Sequence, residues 1–131
     1  MGDDPNSAVV RRLYSAFRAG DNDAARDCFT EDVAWHLPGH SPLAGDYIGF
    51  DQISAEFFGR IRELTGGSFK VEVLEIFPGV DRVVILQRTT GERDGRTLDI
   101  LVCQLMTLRH GKIADVRGFQ ADQYALDAFW A

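Results

Sequence analysis

Glutamine side chains within otherwise apolar segments are the polar groups of this sequence best placed to do chemistry. Gln104 lies in the stretch 98–108, where most other residues are apolar, and Gln87 and Gln120 lie in more mixed strand-like segments. A buried amide needs a hydrogen-bond partner, because leaving one unpaired costs about 1–3 kcal/mol. These amides therefore pair with each other or with water inside the protein, or they bind a ligand, and the sequence leaves both interpretations open.

Histidine offers the one obvious acid–base candidate. His36 follows Trp35 in a short strand-like segment, and the alternation of a strand turns the two side chains to opposite faces. His36 is a candidate proton carrier if the twisted end of the strand re-aims it toward the interior. His40 is four residues further on, but the intervening Pro-Gly pair forbids the helix that would align the two rings for a metal. We expect neither a metal nor a cofactor.

Composition and charge limit the class of protein. The chain has 131 residues, 45% of them hydrophobic, which is enough for a single domain over residues 1–131. Acidic residues outnumber basic ones 20 to 14, and the net charge of −6 argues against nucleic acid or a membrane surface as a partner. The N-terminal residues 1–5 are acidic and lack the features of a secretory signal. Cys28 and Cys103 have no redox or metal spacing, so we expect a cytoplasmic protein with reduced cysteines.

Helical spacing of apolar residues characterises the first half of the chain. Phe57 belongs to one such stripe, and Val10, Leu13 and Tyr14 belong to another. Three helices are expected, with caps or first residues at Ser7, at Asp21 or Asn22, and at Asp51, and with ends at Gly20, Phe29 and Gly66. A strand over 33–37 and a loop rich in proline and glycine separate the second helix from the third.

The second half of the chain is typical of strands. Four are expected, over residues 69–77, 83–93, 97–108 and 112–119. Asp94-Gly95 and His110-Gly111 are hairpin signals between the later ones. The strand expected over 97–108 is so apolar that we expect both of its faces to be covered. Helices followed by an antiparallel meander predict an α+β fold.

Four short motifs, in this order and at this spacing, resemble a known family. They are the helix with its Gly-Asp turn at 13–21, the strand entry at 30–35, the Pro-Leu-x-Gly-x-Tyr-x-Gly loop at 41–49 and the hairpin at 110–113. Together they resemble the SnoaL-like, ketosteroid isomerase-like proteins of the nuclear transport factor 2-like superfamily. The resemblance covers essentially the whole chain. It implies a cone, in which a strongly curved, mostly antiparallel sheet wraps around N-terminal helices and encloses an apolar pocket.

The resemblance also argues against the best-known reactions of that superfamily. The general-base aspartate of the isomerases corresponds here to Leu37, which cannot take a proton. Their protonated aspartate, which donates to the oxyanion, corresponds to Gln104. Their tyrosine falls nearest to Leu13, so the neighbouring Tyr14 is only a loose substitute for it. The acidic base of the polyketide cyclases has no counterpart at Gly118 or Gln120, and the epoxide hydrolase set is also incomplete. The ketosteroid isomerase reaction is therefore disfavoured.

Strand alternation places Val102 and Met106 on the same side as Gln104 once Gln104 is taken to face inward, and the register implied by the resemblance turns residues of the two neighbouring strands inward as well. The resulting pocket wall combines apolar residues from several strands and one helix with a few amides and a hydroxyl. Its expected ligand-binding members are Trp35, Leu37, Phe57, Gln87, Thr89, Val102, Met106, Gly118 and Gln120.

Two functions remain open for this wall. The first is binding of a small apolar, oxygenated molecule, polyketide-like or steroid-like. If turnover occurs, it is a cofactor-free isomerase-, cyclase- or hydrolase-like reaction in which Gln104 polarises a carbonyl, Tyr14 assists and His36 carries the proton. The second is a non-catalytic ligand-binding or dimerisation module that has lost the catalytic carboxylates. The outward apolar residues of the third strand, Leu101 and Leu105 among them, predict a homodimer formed through the sheet.

Overall fold

The computed structural model describes residues 4–131, so the expectation about the N-terminal segment falls largely outside the described residues. Its α-helices are α1 (Pro5–Ala19), α2 (Asn22–Asp27), α3 (Phe50–Gln52), α4 (Gly59–Thr65) and α5 (Gln123–Trp130), and a π-helical stretch, Ile53–Phe58, joins α3 to α4. Its strands are β1 (Phe29–Leu37), β2 (Gly45–Ile48), β3 (Lys70–Pro78), β4 (Arg82–Arg93), β5 (Arg96–Arg109) and β6 (Lys112–Gln120).

The strands form one mixed sheet in the order β2-β1-β6-β5-β4-β3. Only β1 and β6 run parallel, and the other neighbours are antiparallel. The concave face packs on α1, on the helical segment 50–65 and on α5, with the fully buried residues Leu13, Ile53 and Met106 at its centre. The α+β cone expected from the sequence is confirmed. Within the described residues, no helix combines the length and apolar character needed to cross a membrane.

The helix ends follow local capping chemistry, with one correction. Asp4, not Ser7, caps α1: its carboxylate accepts a hydrogen bond from the backbone N–H of Ser7 at 3.1 Å. Pro5 at the first helical position suits this start because its fixed φ is already helical. Gly20 ends α1 in the left-handed conformation, with φ of 68°, as predicted. Ser7 instead lies buried in the first turn.

The first strand is longer than its apolar pattern indicated. Phe29, expected at the end of a helix, begins β1, and α2 stops at Asp27. The loop after β1 also contains a strand that the sequence did not reveal. This strand, β2, pairs antiparallel with β1, so that Trp35 faces Tyr47 and His36 faces Asp46. The many glycines and prolines of this loop concealed four extended residues.

The third helical segment begins differently from the prediction. Gly49, with φ of 81°, occupies the N-cap, and no side chain caps the helix, so Asp51 is not the cap. Ile53 and Phe57, four residues apart in the π-helical stretch, are both buried, as their spacing predicted. The β4–β5 and β5–β6 hairpins confirm the turn predictions. Asp94-Gly95 and His110-Gly111 all have positive φ, as two-residue turns that match strand twist require.

The two faces of the sheet differ sharply in exposure. On β5 the inward residues are buried, whereas Leu101 on the outer face is 45% exposed. Phe119 of β6 and Phe77 of β3 are 54% and 47% exposed. We expected both faces of β5 to be covered. Within a single chain, only the concave face is. The convex face of the sheet carries an apolar patch open to solvent.

Candidate functional site

The concave wall contains the residues that strand alternation assigned to it. Because β4, β5 and β6 pair antiparallel in one register, Gln104 lies between Ile85 and Gly118 across the sheet. Every member of the expected wall is buried or partly buried, namely Trp35, Leu37, Phe57, Gln87, Thr89, Val102, Met106, Gly118 and Gln120. The inward facing of Gln104 is thus observed, while a role in ligand binding for these residues stays a prediction.

One group of polar residues on this wall is already paired within the protein. The Tyr14 hydroxyl donates to Gln87 Oε1 at 2.7 Å, and Gln87 Nε2 donates to Thr89 Oγ1 at 3.2 Å. All three residues are buried, and desolvation by burial raises the pKa of the Tyr14 phenol far above its usual value. Tyr14 therefore stays neutral, and its proton is engaged with Gln87. This arrangement links α1 to β4 and satisfies its own hydrogen bonds.

A second group of polar residues is not paired. Gln104 is only 9% exposed, and its Oε1 has no hydrogen-bond partner among the described residues. Gln120 Oε1 is likewise buried and without a partner. Two buried amide oxygens, each unpaired, are unusual on one wall, because almost all buried polar atoms in native proteins find a partner. This contrast separates Gln104 and Gln120 from Gln87.

Gly118 brings these two amides together. A Cβ added to Gly118 would lie 3.1 Å from Gln120 Nε2 and 3.3 Å from Gln104 Oε1. The donor nitrogen of one amide and the acceptor oxygen of the other therefore face the same small space over a residue without a side chain. Gly118 adopts no positive φ, so the chain needs no glycine here for backbone reasons. Space for the two amides is the physical reason for glycine at this position.

The loop after β1 borders this space, and helix α5 holds that loop in place. Pro38 Cδ lies 3.8 Å from the Cβ position at Gly118. Gln123 Nε2 donates to the Pro38 carbonyl at 3.3 Å, and the backbone N–H of His40 donates to Asp127 Oδ1 at 3.2 Å. We call this contact between the loop 38–40 and α5 the latch. Its hydrogen bonds involve exposed or half-buried groups, so it is a cover that can open locally more easily than the core.

Gly39 makes the latch possible. Its φ of 108° lies in the region that favours glycine, and a Cβ there would come within 2.2 Å of Asp127 Oδ1 and 2.4 Å of Gln123 Nε2. The sequence showed Pro38-Gly39 only as a loop signal. Its packing partners are more than 80 residues away along the chain, and no local pattern identifies them.

His36 lies on the other face of the sheet. Its Nδ1 is 2.5 Å from Asp46 Oδ1, and its Nε2 is 2.8 Å from Asp115 Oδ1. Burial opposes the charged imidazole, but the hydrogen bonds to the two carboxylates outweigh burial and raise the pKa of His36. The ring therefore bridges a carboxylate of β2 and a carboxylate of β6. Its catalytic role stays a prediction, and the strand does not re-aim it toward Gln104.

The opposite end of the concave wall is packed with aromatic rings. Trp35 contacts Phe57 and Phe58 at ring-centroid distances of 5.7 Å and 5.1 Å, and Tyr47 packs on Phe57 at 4.9 Å. The Tyr47 hydroxyl donates to the Leu43 carbonyl at 2.6 Å. The π-helical stretch places Phe57 and Phe58 side by side against Trp35. This end of the wall is formed mainly by aromatic surface.

Other parts of the surface offer different environments. An open groove of about 820 Å³ lies beside α1, α2 and the β5–β6 turn, with Arg12, Cys28 and Lys112 in its lining. A second groove, of about 540 Å³, follows the β4–β5 turn. Neither groove includes Gln104 or Gln120. Residues 4–131 contain no group of three or more His, Cys, Asp or Glu side chains suited to a metal ion.

Comparisons with known proteins agree on the fold. The family model described as a SnoaL-like domain matches residues 10–116. The uncharacterized protein Rv0034 of Mycobacterium tuberculosis is 33% identical over 132 residues, covering 100% of each chain. The structure of Bal32a from a soil-derived mobile gene cassette has 40% identity and a TM-score of 0.92, covering 97% of each chain. A putative SnoaL-like polyketide cyclase from Jannaschia sp. CCS1 has 23% identity and a TM-score of 0.76, covering 99% of each chain, and shows the fold alone.

Proposed function

The chain belongs to the SnoaL-like domain family, and we propose that it binds a small apolar, oxygenated molecule, polyketide-like or steroid-like, on the concave face of its sheet. The observation that carries this proposal is the pair of buried, unpaired amide oxygens of Gln104 and Gln120. Each unpaired group costs the folded protein about 1–3 kcal/mol, and a ligand that pairs with it recovers that free energy. Apolar neighbours on the wall supply the remaining contact surface.

The chemical character of the wall favours an apolar ligand with few polar groups. Val102 and Met106 flank Gln104 along β5, and Ile85 lies opposite it on β4. A pocket with mostly apolar walls and one or two convergent polar groups is the usual design for binding small molecules. Excluding water also strengthens each hydrogen bond to the ligand. Gln104 and Gln120 are the proposed anchors, and the remaining wall residues are the proposed apolar contacts.

Binding without turnover is the first form of this proposal. The ionisable group on the wall is Tyr14, whose proton is held by Gln87 and whose pKa is raised by burial. Tyr14 is therefore a poor proton donor to a ligand. A cofactor-free isomerase-, cyclase- or hydrolase-like reaction is the second candidate. The position of Gln104, where the isomerases keep a donor to the oxyanion, favours it.

Equilibrium binding to purified protein tests the proposal. Alpha-tetralone, alpha-tetralol and a hydroxyanthraquinone are suitable bicyclic and tricyclic probes, and the fluorescence of buried Trp35 reports occupancy of the wall. Trp35→Phe identifies the signal that comes from that ring. We expect Gln104→Leu to weaken binding of at least one of the three probes by about tenfold, which corresponds to the loss of one buried hydrogen bond. Absence of binding by all three probes, or affinities that Gln104→Leu leaves unchanged for every probe, would contradict the proposal.

We also propose a homodimer formed through the convex face of the sheet. Leu101 and Phe119 lie on neighbouring strands of that face, where half-exposed apolar side chains form a continuous patch. A patch of this kind marks an interaction surface in many proteins. We further propose a cytoplasmic location, because both Cys28 and Cys103 are free thiols.

A further inference from the structure

We infer that the ligand presents a hydroxyl group, and not a carbonyl, to Gln104 and Gln120. This inference rests on the proposed function and specifies the chemical class of the ligand at the same site. It follows from the atoms that face the space over Gly118. Gln104 offers its acceptor oxygen there, and Gln120 offers its donor nitrogen.

Because an acceptor and a donor face the same space, the ligand group that fits best there is one that can donate a hydrogen bond and accept another. A hydroxyl donates one hydrogen bond and accepts others, so it pairs with Gln104 Oε1 and Gln120 Nε2 at once. A carbonyl only accepts, so it pairs with Gln120 Nε2 and leaves Gln104 Oε1 buried without a partner. Leaving a buried polar atom unpaired discriminates strongly between otherwise similar ligands.

This selection differs from what the resemblance to isomerases implied. There Gln104 was expected to donate to a carbonyl, which requires the amide nitrogen to face the ligand. In the structure the nitrogen facing this space belongs to Gln120, and Gln104 contributes its oxygen. Apolar residues surround Gln104 on β5 and β4.

Gly118 is the residue that determines this specificity. A methyl group at Gly118 would stand 3.1 Å from Gln120 Nε2 and 3.3 Å from Gln104 Oε1, closer than most real Cβ contacts. It would occupy the space that the hydroxyl needs and push the two amides apart. The backbone tolerates alanine at Gly118 because its φ is not in the left-handed region.

Alpha-tetralol and alpha-tetralone provide a matched pair of ligands, since they share a carbon skeleton and differ in having an alcohol or a ketone. We expect isothermal titration calorimetry to show tighter binding of the alcohol by about 5- to 150-fold. Gln104→Leu should reduce that preference to less than about threefold. Gln52→Leu, the same change at an exposed glutamine of α3, should keep it.

Gly118→Ala should weaken binding of the alcohol by about tenfold or more. Gly91→Ala is its control: the added Cβ would meet Phe69 and Phe129 at an ordinary 3.5 Å, away from both amides. Equal affinity for the two compounds, or a preference for the ketone, would overturn the inference while leaving the proposed binding function intact. Retention of the preference in Gln104→Leu would also overturn it. Failure of both compounds to bind would instead count against the proposed function.

Discussion

Replacing Gln104 by leucine should not destabilise the ligand-free protein, although it removes a buried polar side chain from the core. Gln87→Leu is the matched control, because Gln87 lies on the same wall and is 4% exposed, against 9% for Gln104. The two amides differ in their partners. Gln87 is bonded to Tyr14 and to Thr89, whereas Gln104 Oε1 is unpaired.

The expected magnitudes follow from these partners. Gln104→Leu relieves a desolvation penalty of about 1–3 kcal/mol, and the change from an unbranched to a branched, shorter side chain costs about 1 kcal/mol in packing. The free energy of unfolding should therefore rise by about 0–2 kcal/mol. Gln87→Leu leaves the buried Tyr14 hydroxyl without its hydrogen-bond partner, so the free energy of unfolding should fall by about 1–3 kcal/mol. The free energy of unfolding should therefore change in opposite directions in the two variants, and this difference in sign is the prediction to test.

Urea denaturation followed by circular dichroism measures both changes. With a slope near 2 kcal/mol/M, each kcal/mol moves the midpoint by about 0.5 M. All proteins should be compared at one concentration, since association would add its own stabilisation. A loss of stability in Gln104→Leu as large as that in Gln87→Leu would refute the reasoning. It would show that Gln104 has a partner in the free protein and is a structural amide.

Three further predictions concern the latch, the outer face and the oligomeric state. Gly39→Ala should lower the free energy of unfolding by about 1–3 kcal/mol, because a φ of 108° favours glycine and the added Cβ would displace the side-chain ends of Asp127 and Gln123. A change below about 0.5 kcal/mol would count against the latch. The imidazole of His36 should titrate in NMR above its usual pKa of 6.5. Because the folded pKa is raised, the stability from His36 should be complete below pH 6.5 and disappear as pH rises through the folded pKa; titration below 6.5 would reverse this assignment. Light scattering should give the mass of two chains, falling to one in Leu101→Glu; a single-chain mass for the unchanged protein would exclude the dimer through this face.

The sequence predicted the orientation of the wall residues better than it predicted their partners. Strand alternation assigned Gln104 to the concave face and His36 to the other, and both assignments agree with the structure. The period of two is a local property, and long antiparallel pairing on β4, β5 and β6 preserves it. The expectation that the fold is an α+β cone is confirmed for the same reason. The single-domain boundaries stay a prediction.

Long-range contacts account for what the sequence could not show. Tyr14 and Gln87 are 73 residues apart, so no spacing rule indicates that one amide is paired and another is not. Strand β2 forms because β1 offers an edge, in a segment whose glycines and prolines are typical of a loop. The convergence of Gln104 and Gln120 depends on a missing Cβ at Gly118, which appears in the sequence only as one glycine among 13.

The side-chain amide signals of the glutamines test the central claim most directly. In isotope-labelled protein, the amide signals of Gln104, Gln120 and Gln87 are assigned by substitution and followed by NMR as alpha-tetralol is added. The account predicts that the signals of Gln104 and Gln120 shift and saturate together, while that of Gln87, already bonded to Tyr14, stays in place. Saturable binding that leaves Gln104 and Gln120 unshifted would contradict it.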